Sequence, residues 1–249
     1  VVNKKSKAGR TMIEIAYPTF ASGEPRPMKA AAIREIAAAL RRQVFAGQAK
    51  SIDVADFARR TGRLRVNGRT MRVFWDLAHK VHDGKGLPVL GICEHDPEVP
   101  AAVMISLDAD LVDEPELWRS TAAHEFGHAV FDMPAAMGGG ARQTFRTRRD
   151  SDRTGAPIDW REWRADEFMG AFLVPRYQLA KAFARCASIA GTTLHWKGVS
   201  NVSTPAVIAN EAGGDAVGAI TDMIAEEFGV SSAFMSVRLR KCGHVVDSF

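Results

Sequence analysis

His124, Glu125, Phe126, Gly127 and His128 stand consecutively in this chain, an HExxH pattern. Two histidines four positions apart on a helix project from one face, so their imidazoles can share a metal ion while the glutamate flanks its open coordination position. Such a trio suits metal-assisted amide hydrolysis: zinc lowers the pKa of a water to about 7 and polarises the carbonyl, and the glutamate moves the proton. Catalytic zinc takes three protein ligands, so His124 and His128 leave one to be found. A metzincin would continue with glycine and histidine three and six residues past the second histidine, but Phe131 and Pro134 occupy those places.

The segment from Trp160 to Pro175 supplies acids at the right spacing. Ala165, Phe168, Met169 and Phe172 form an apolar helical stripe that Pro175 ends, and Glu162 and Asp166, four apart, share a face beside it. Glu162 is thereby placed to complete the metal ligands, and Asp166 to hold the far nitrogen of a ligand histidine. Two other readings stand beside this one: the acids could pair with Arg161 and Arg164 on a solvated face, and Glu167 could hold the histidine instead of Asp166.

These motifs must sit on elements that keep them rigid. Asp113, Glu114 and Pro115 open a helix through Leu117, Ala122, Phe126 and Val130, and Pro134 closes it, so the HExxH lies mid-helix. Pro27 to Gly47 reads as a helix with Ile33, Ile36, Leu40 and Val44 inward. Thr70 to Asp83 reads as another, with Phe74, Leu77, Ala78 and Val81 on one side. Pro88 to Cys93 and Ala101 to Leu107 read as strands of a hairpin, the second a candidate edge for pairing with substrate backbone. The arginines 142, 146, 148, 149 and 153 follow Gly138, Gly139 and Gly140, so this stretch reads as a loop: plainly solvated, or a lid attracting an acidic substrate. Near the end, Asp215 to Glu227 and Ser232 to Lys241 read as helices, with Gly229 ending the first and Ser231 capping the second. Arg238, Arg240 and Lys241 would suit a helix-turn-helix contact with DNA, although paired helices more often simply pack.

Taken together, the motifs resemble the ImmA/IrrE-type metallo-endopeptidases, whose pattern runs HE-x-G-H, a gap, then E-x-x-A-N-x-F-A-x-x-L-L-x-P. Here His124 to His128 is followed by Glu162, Ala165, Asp166, Phe168, Phe172, Leu173 and Pro175. Weaker likeness extends from Ser51 to about residue 242, through the segment Phe228 to Leu239. Asp166 stands where the family usually shows asparagine, and the gap is longer than usual. The resemblance implies His124, His128 and Glu162 as Zn2+ ligands and Glu125 as the catalytic base. It also implies an α+β, zincin-like fold with a small, mostly antiparallel sheet packed on helices. The expected activity is cleavage of a specific intracellular protein, a helix-turn-helix repressor. A regulatory DNA- or protein-binding module with a non-catalytic zinc site is the alternative, though no fourth ligand for a closed site stands near these motifs.

Composition sets the remaining bounds. With 249 residues, 46% hydrophobic and 25% charged, the chain can bury a sizeable core. The expected organisation is an extended arm over residues 1–26, a peptidase domain over 27–185 and a helical region over 186–249. A net charge of +4 says little about partners. The odd, scattered Cys93, Cys186 and Cys242 suit reduced thiols. The run after Thr11 is too short for a signal-peptide core and nothing approaches membrane-spanning length, so a cytoplasmic protein is expected. Tyr177, His195, His79, His82 and His244 are candidates for stabilising an oxyanion, none of them singled out.

Overall fold

The computed structural model describes residues 12–45, 49–140, 142–148, 159–199 and 202–248. Ile13–Ile15 (β1) leads to Ala30–Val44 (α1), Val54–Arg60 (α2), Arg63–Val66 (β2), Arg69–Asp76 (β3), Gly91–His95 (β4) and Ala102–Leu107 (β5). After a 3-10 helix at Ala109–Asp113, Pro115–Phe131 (α3), Met133–Gly139 (α4), Gln143–Thr147 (β6), Trp160–Leu173 (α5) and Arg176–Ile189 (α6) follow. His195–Val199 (β7), Val202–Ile208 (β8), Ala209–Ala212 (α7), Gly214–Phe228 (α8), Ser232–Cys242 (α9) and Val245–Val246 (β9) complete the order. The architecture is mixed α/β. One sheet has six strands in the order β1-β2-β3-β5-β4-β6, and a second has three, β7-β8-β9. In the large sheet β1 with β2 and β3 with β5 are parallel, and the other three pairings are antiparallel.

The helices form where apolar spacing and end chemistry agree. Helix α1 buries Ile33, Ile36, Leu40 and Val44, one stripe at helical period. Helix α2 starts at Asp53, whose carboxylate accepts from the Asp56 amide at 2.7 Å. In α3 Pro115 occupies the first turn, where its missing N–H costs nothing. From Thr121 to Phe131 every residue of α3 is buried, so this half is enclosed on all sides rather than amphipathic as its spacing implied. Phe126 anchors it, with ring centroids at 5.1 Å to Phe57, 6.0 Å to Phe172 and 6.1 Å to Phe168. Gly229, at φ 64°, ends α8, and the Ser231 hydroxyl accepts from the Phe234 amide at 3.2 Å to start α9, as the sequence indicated.

Several expectations fail at the sheet. No helix forms over Thr70 to Asp83: Arg69–Asp76 is a strand, with Met71 and Val73 buried and Arg72 and Phe74 exposed. Its origin is the turn before it, where Asn67 and Gly68 sit at φ 49° and 79° and close a two-residue hairpin to β2. The helical spacing from Phe74 to Val81 is overridden, and the Val81 amide donates instead to Asp108 Oδ2 at 2.9 Å. Ala102–Leu107 is a strand but not an edge, since β3 and β4 flank it. Of the arginine-rich stretch read as a loop, Gln143–Thr147 is the edge strand β6; Arg149 and Arg153 lie outside the described residues. Within 1–26, Ile13–Ile15 joins the sheet beside β2, and the region after 186 holds a three-stranded sheet as well as helices. Among the described residues no helix is long and apolar enough to cross a membrane.

Candidate metal centre

Helices α3 and α5 pack with unusual closeness at one point. A Cβ on Gly127 would lie 3.2 Å from both Ala165 Cα and Phe168 Cδ1, so a larger residue there would need its neighbours to give by a few tenths of an ångström. That contact sets Glu162, one turn before Ala165 on α5, beside His124 and His128 of α3. The imidazole Nε2 atoms are 3.1 Å apart, His124 Nε2 is 3.4 Å from Glu162 Oε2, and His128 Nε2 is 3.4 Å from Glu162 Oε1. Ligands at 2.0–2.1 Å from a tetrahedral zinc would be separated by about 3.3–3.4 Å. The three donors therefore stand close to the spacing zinc requires without further assembly. Two imidazoles and one carboxylate are also a zinc donor set by chemistry.

The far nitrogen of each histidine is held by a carboxylate. His124 Nδ1 lies 3.0 Å from Asp166 Oδ1, and His128 Nδ1 lies 2.9 Å from Asp132 Oδ2. Each contact turns the metal-facing Nε2 toward the cluster and raises its basicity. Asp132 also pairs with Arg164, whose guanidinium lies 5.4 Å over the Phe131 ring. Glu167 is committed elsewhere: Arg34 at 2.6 Å, Arg238 at 3.3 Å and Lys241 at 3.4 Å surround its carboxylate. Of the two acids that the spacing allowed on a ligand histidine, Asp166 is the one in contact, with His124.

Glu125 has a different environment. It is fully buried, its Oε1 accepts from Thr147 Oγ1 at 2.6 Å, and its Oε2 has no hydrogen-bond partner among the described residues. Strand β4 presses on it at Gly91, where a Cβ would lie 3.0 Å from Glu125 Cγ and 2.8 Å from Thr121 Cγ2. Phe145 of β6 stacks flat on the His128 ring, at 4.1 Å and 8°.

Charge follows from this packing. Burial pushes the Glu125 carboxyl up, and the nearby His124 and His128 only partly offset it. For His124 burial disfavours the cation, but hydrogen bonds to Asp166 and Glu162 outweigh it and lift the imidazole to about 10. His128 is raised in the same way, burial being overcome by Asp132 and Glu162. Burial opposes ionisation of Glu162 too, yet the two imidazoles hold it well below the usual carboxylate range. Without a metal the cluster thus gathers protons to balance its carboxylates; a divalent cation would meet the same need.

The site contains members that spacing did not reveal. Asp132 could have been found, since it stands four past His128 on the same helical face. Thr147 and Phe145 could not, because β6 reaches the site only through sheet pairing with β4. The oxyanion candidates make other contacts. Tyr177 Oη and Lys181 Nζ are 2.6 Å apart, His195 pairs with Glu211, His79 pairs with Asp76, and His244 Nδ1 donates to the Pro205 carbonyl at 2.7 Å. His82 forms a bridge with Pro88. Arg238 is buried against Glu167, while Arg240 pairs with Asp247. No protein family model, no curated protein and no solved structure matches this chain.

Proposed function

We propose that this chain is a zinc-dependent endopeptidase with a zincin-like catalytic layer, in which His124, His128 and Glu162 hold the ion and Glu125 is the proton carrier. The observation that carries the reading is Glu125 itself. A buried carboxylate with one oxygen satisfied and the other unpartnered, placed beside a ready-made ligand triangle, has no evident packing role. A zinc ion held there supplies a Lewis acid and makes water acidic enough to ionise near pH 7.

The chain's own residues do the rest. Asp132 and Asp166 fix the tautomers, so that His128 and His124 present Nε2. In this structure Thr147 donates to Glu125 Oε1, and Glu125 would take a proton from water and pass it to the departing amine. A cavity of about 410 Å³, lined among others by Asp132, Phe145, Trp160 and Arg164, opens on the flank of the site and offers room for a substrate side chain. The narrower reading, a helix-turn-helix repressor as substrate, rests on the motif resemblance alone.

Glu125→Gln tests this. Zinc content, measured by metal analysis, is expected to stay at the wild-type level. Hydrolysis of a disordered protein probe, fluorescently labelled casein, is expected to fall about 10²- to 10⁴-fold. Equal hydrolysis by both proteins refutes the role of Glu125.

A further inference from the structure

The sheet does not end where the site would need it to end. An extended substrate binds most simply by adding a strand to a free sheet edge, through backbone hydrogen bonds. The strand that presses on Glu125 is β4, and its outer side is taken. β6 pairs antiparallel along its whole length, Gly91 to Thr147, Cys93 to Phe145 and His95 to Gln143. The Leu90 amide adds a bond to the Thr147 carbonyl at 2.8 Å.

Side chains of β6 seal the same place. Phe145 and Thr147 point to α3, the first lying flat on His128 and the second donating to Glu125. Glu125 and His128 are at 0% exposure, whereas Glu162 and Asp166 retain side-chain exposures of 19% and 36%. Each end of the strand is clamped by an ion pair, Arg142 with Asp96 and Arg148 with Asp83. Gln143 and Phe145 also wall the flanking cavity, so departure of β6 would widen it.

The geometry points to β6 as a built-in blocking strand: Gln143–Thr147 occupies the backbone lane on β4 that an extended peptide would take, and the site admits such a peptide only when β6 detaches. This inference rests on the reading of the site as a peptidase centre and adds its regulation. Basal turnover then runs through the small fraction of molecules with β6 detached, and a partner or chemical change that loosens the clamps raises it.

A reversible covalent lock separates the two ideas. Ile92 and Arg146 face each other across the β4–β6 pair. Antiparallel partners have Cα atoms about 4.5–5.5 Å apart, within the span a disulfide bridges. Arg146 is exposed and lies on the strand face opposite Phe145 and Thr147. The double variant Ile92→Cys and Arg146→Cys, loaded with zinc, is compared oxidised and reduced. Three readouts are used: binding of a fluorescent peptide hydroxamate, hydrolysis of labelled casein, and hydrogen exchange over residues 143–147. The oxidised form is expected to protect those amides and to bind the hydroxamate at least ten-fold more weakly than the reduced form. Equal binding in the two forms overturns the inference, as does failure of the reduced, zinc-loaded protein to bind. If the lock controls hydroxamate binding but casein is never cleaved, the blocking strand stands and the endopeptidase reading falls. Equal cleavage in both forms removes the blocking strand and leaves the peptidase. Arg142→Ala combined with Arg148→Ala supplies a check without new cysteines: tighter hydroxamate binding than wild type supports the inference, and unchanged binding together with unchanged exchange at 143–147 counts against it.

Discussion

Asp132→Asn isolates what orientation contributes to the proposed metal centre. Asp132 uses both oxygens, Oδ2 toward His128 Nδ1 at 2.9 Å and Oδ1 toward Arg164, and its side chain is only 4% exposed. Asparagine keeps the shape but has one acceptor for two donors, so an N–H must face either the imidazole or the guanidinium. Leaving a buried polar group unmatched costs about 1–3 kcal/mol, and stranding the Arg164 charge moves the figure toward the upper end. Loss of such a carboxylate partner weakens a metal site by about 10–100-fold, which corresponds to roughly 1.4–2.7 kcal/mol. Asp166→Asn is the comparator. Its side chain is 36% exposed, so water can take over part of its contact with His124, and a loss below about ten-fold is expected. Competition for zinc against a chromophoric chelator measures both variants, with urea unfolding as the stability readout. Wild-type zinc affinity in folded Asp132→Asn would refute the orientation argument. A larger loss in Asp166→Asn than in Asp132→Asn would refute the ranking by burial.

Gly127→Ala forces a Cβ to 3.2 Å from the Ala165 backbone. We expect about 1–3 kcal/mol of destabilisation in urea together with weaker zinc binding; native stability would show that α3 and α5 can part without cost. Zinc binding should release protons at pH 7, because the metal-free His124 titrates near 10 and His128 is raised as well. In the metal-free protein the His124 contribution to stability is fully present below about pH 6.5 and is lost as pH rises through about 10. Calorimetry in buffers of different ionisation enthalpy reads the release, and heats independent of buffer would count against it. His244 behaves oppositely: buried beside Phe183, its pKa is lowered by desolvation to about 4. The unfolded chain then binds the extra proton first, so stability falls as pH drops from about 6.5 toward 4, by roughly 3 kcal/mol at most. His244→Leu should flatten that slope in urea midpoints, and an unchanged slope would place the acid sensitivity elsewhere.

Short-range chemistry was legible in the chain because it depends on spacing within one element. The placement of His124, Glu125 and His128 on one helix, of Glu162 and Asp166 on another, and the cap at Ser231 all follow from helical period and end groups. The hairpin at Asn67 and Gly68 was equally local and was masked by a helical spacing downstream, two periodicities competing over Thr70 to Val81. Tertiary structure alone decided the rest. The approach of α3 and α5 at Gly127 brings together candidate ligands separated by 34 positions or more, such as His128 and Glu162. Sheet order is likewise a matter of pairing between distant segments, which no local pattern encodes. That pairing makes Ala102–Leu107 an interior strand and lays Gln143–Thr147 across the edge next to Glu125. The sequence alone thus determined which groups could bind zinc and move a proton. Packing determined how those groups are held, and that the lane beside them is already filled by the chain itself.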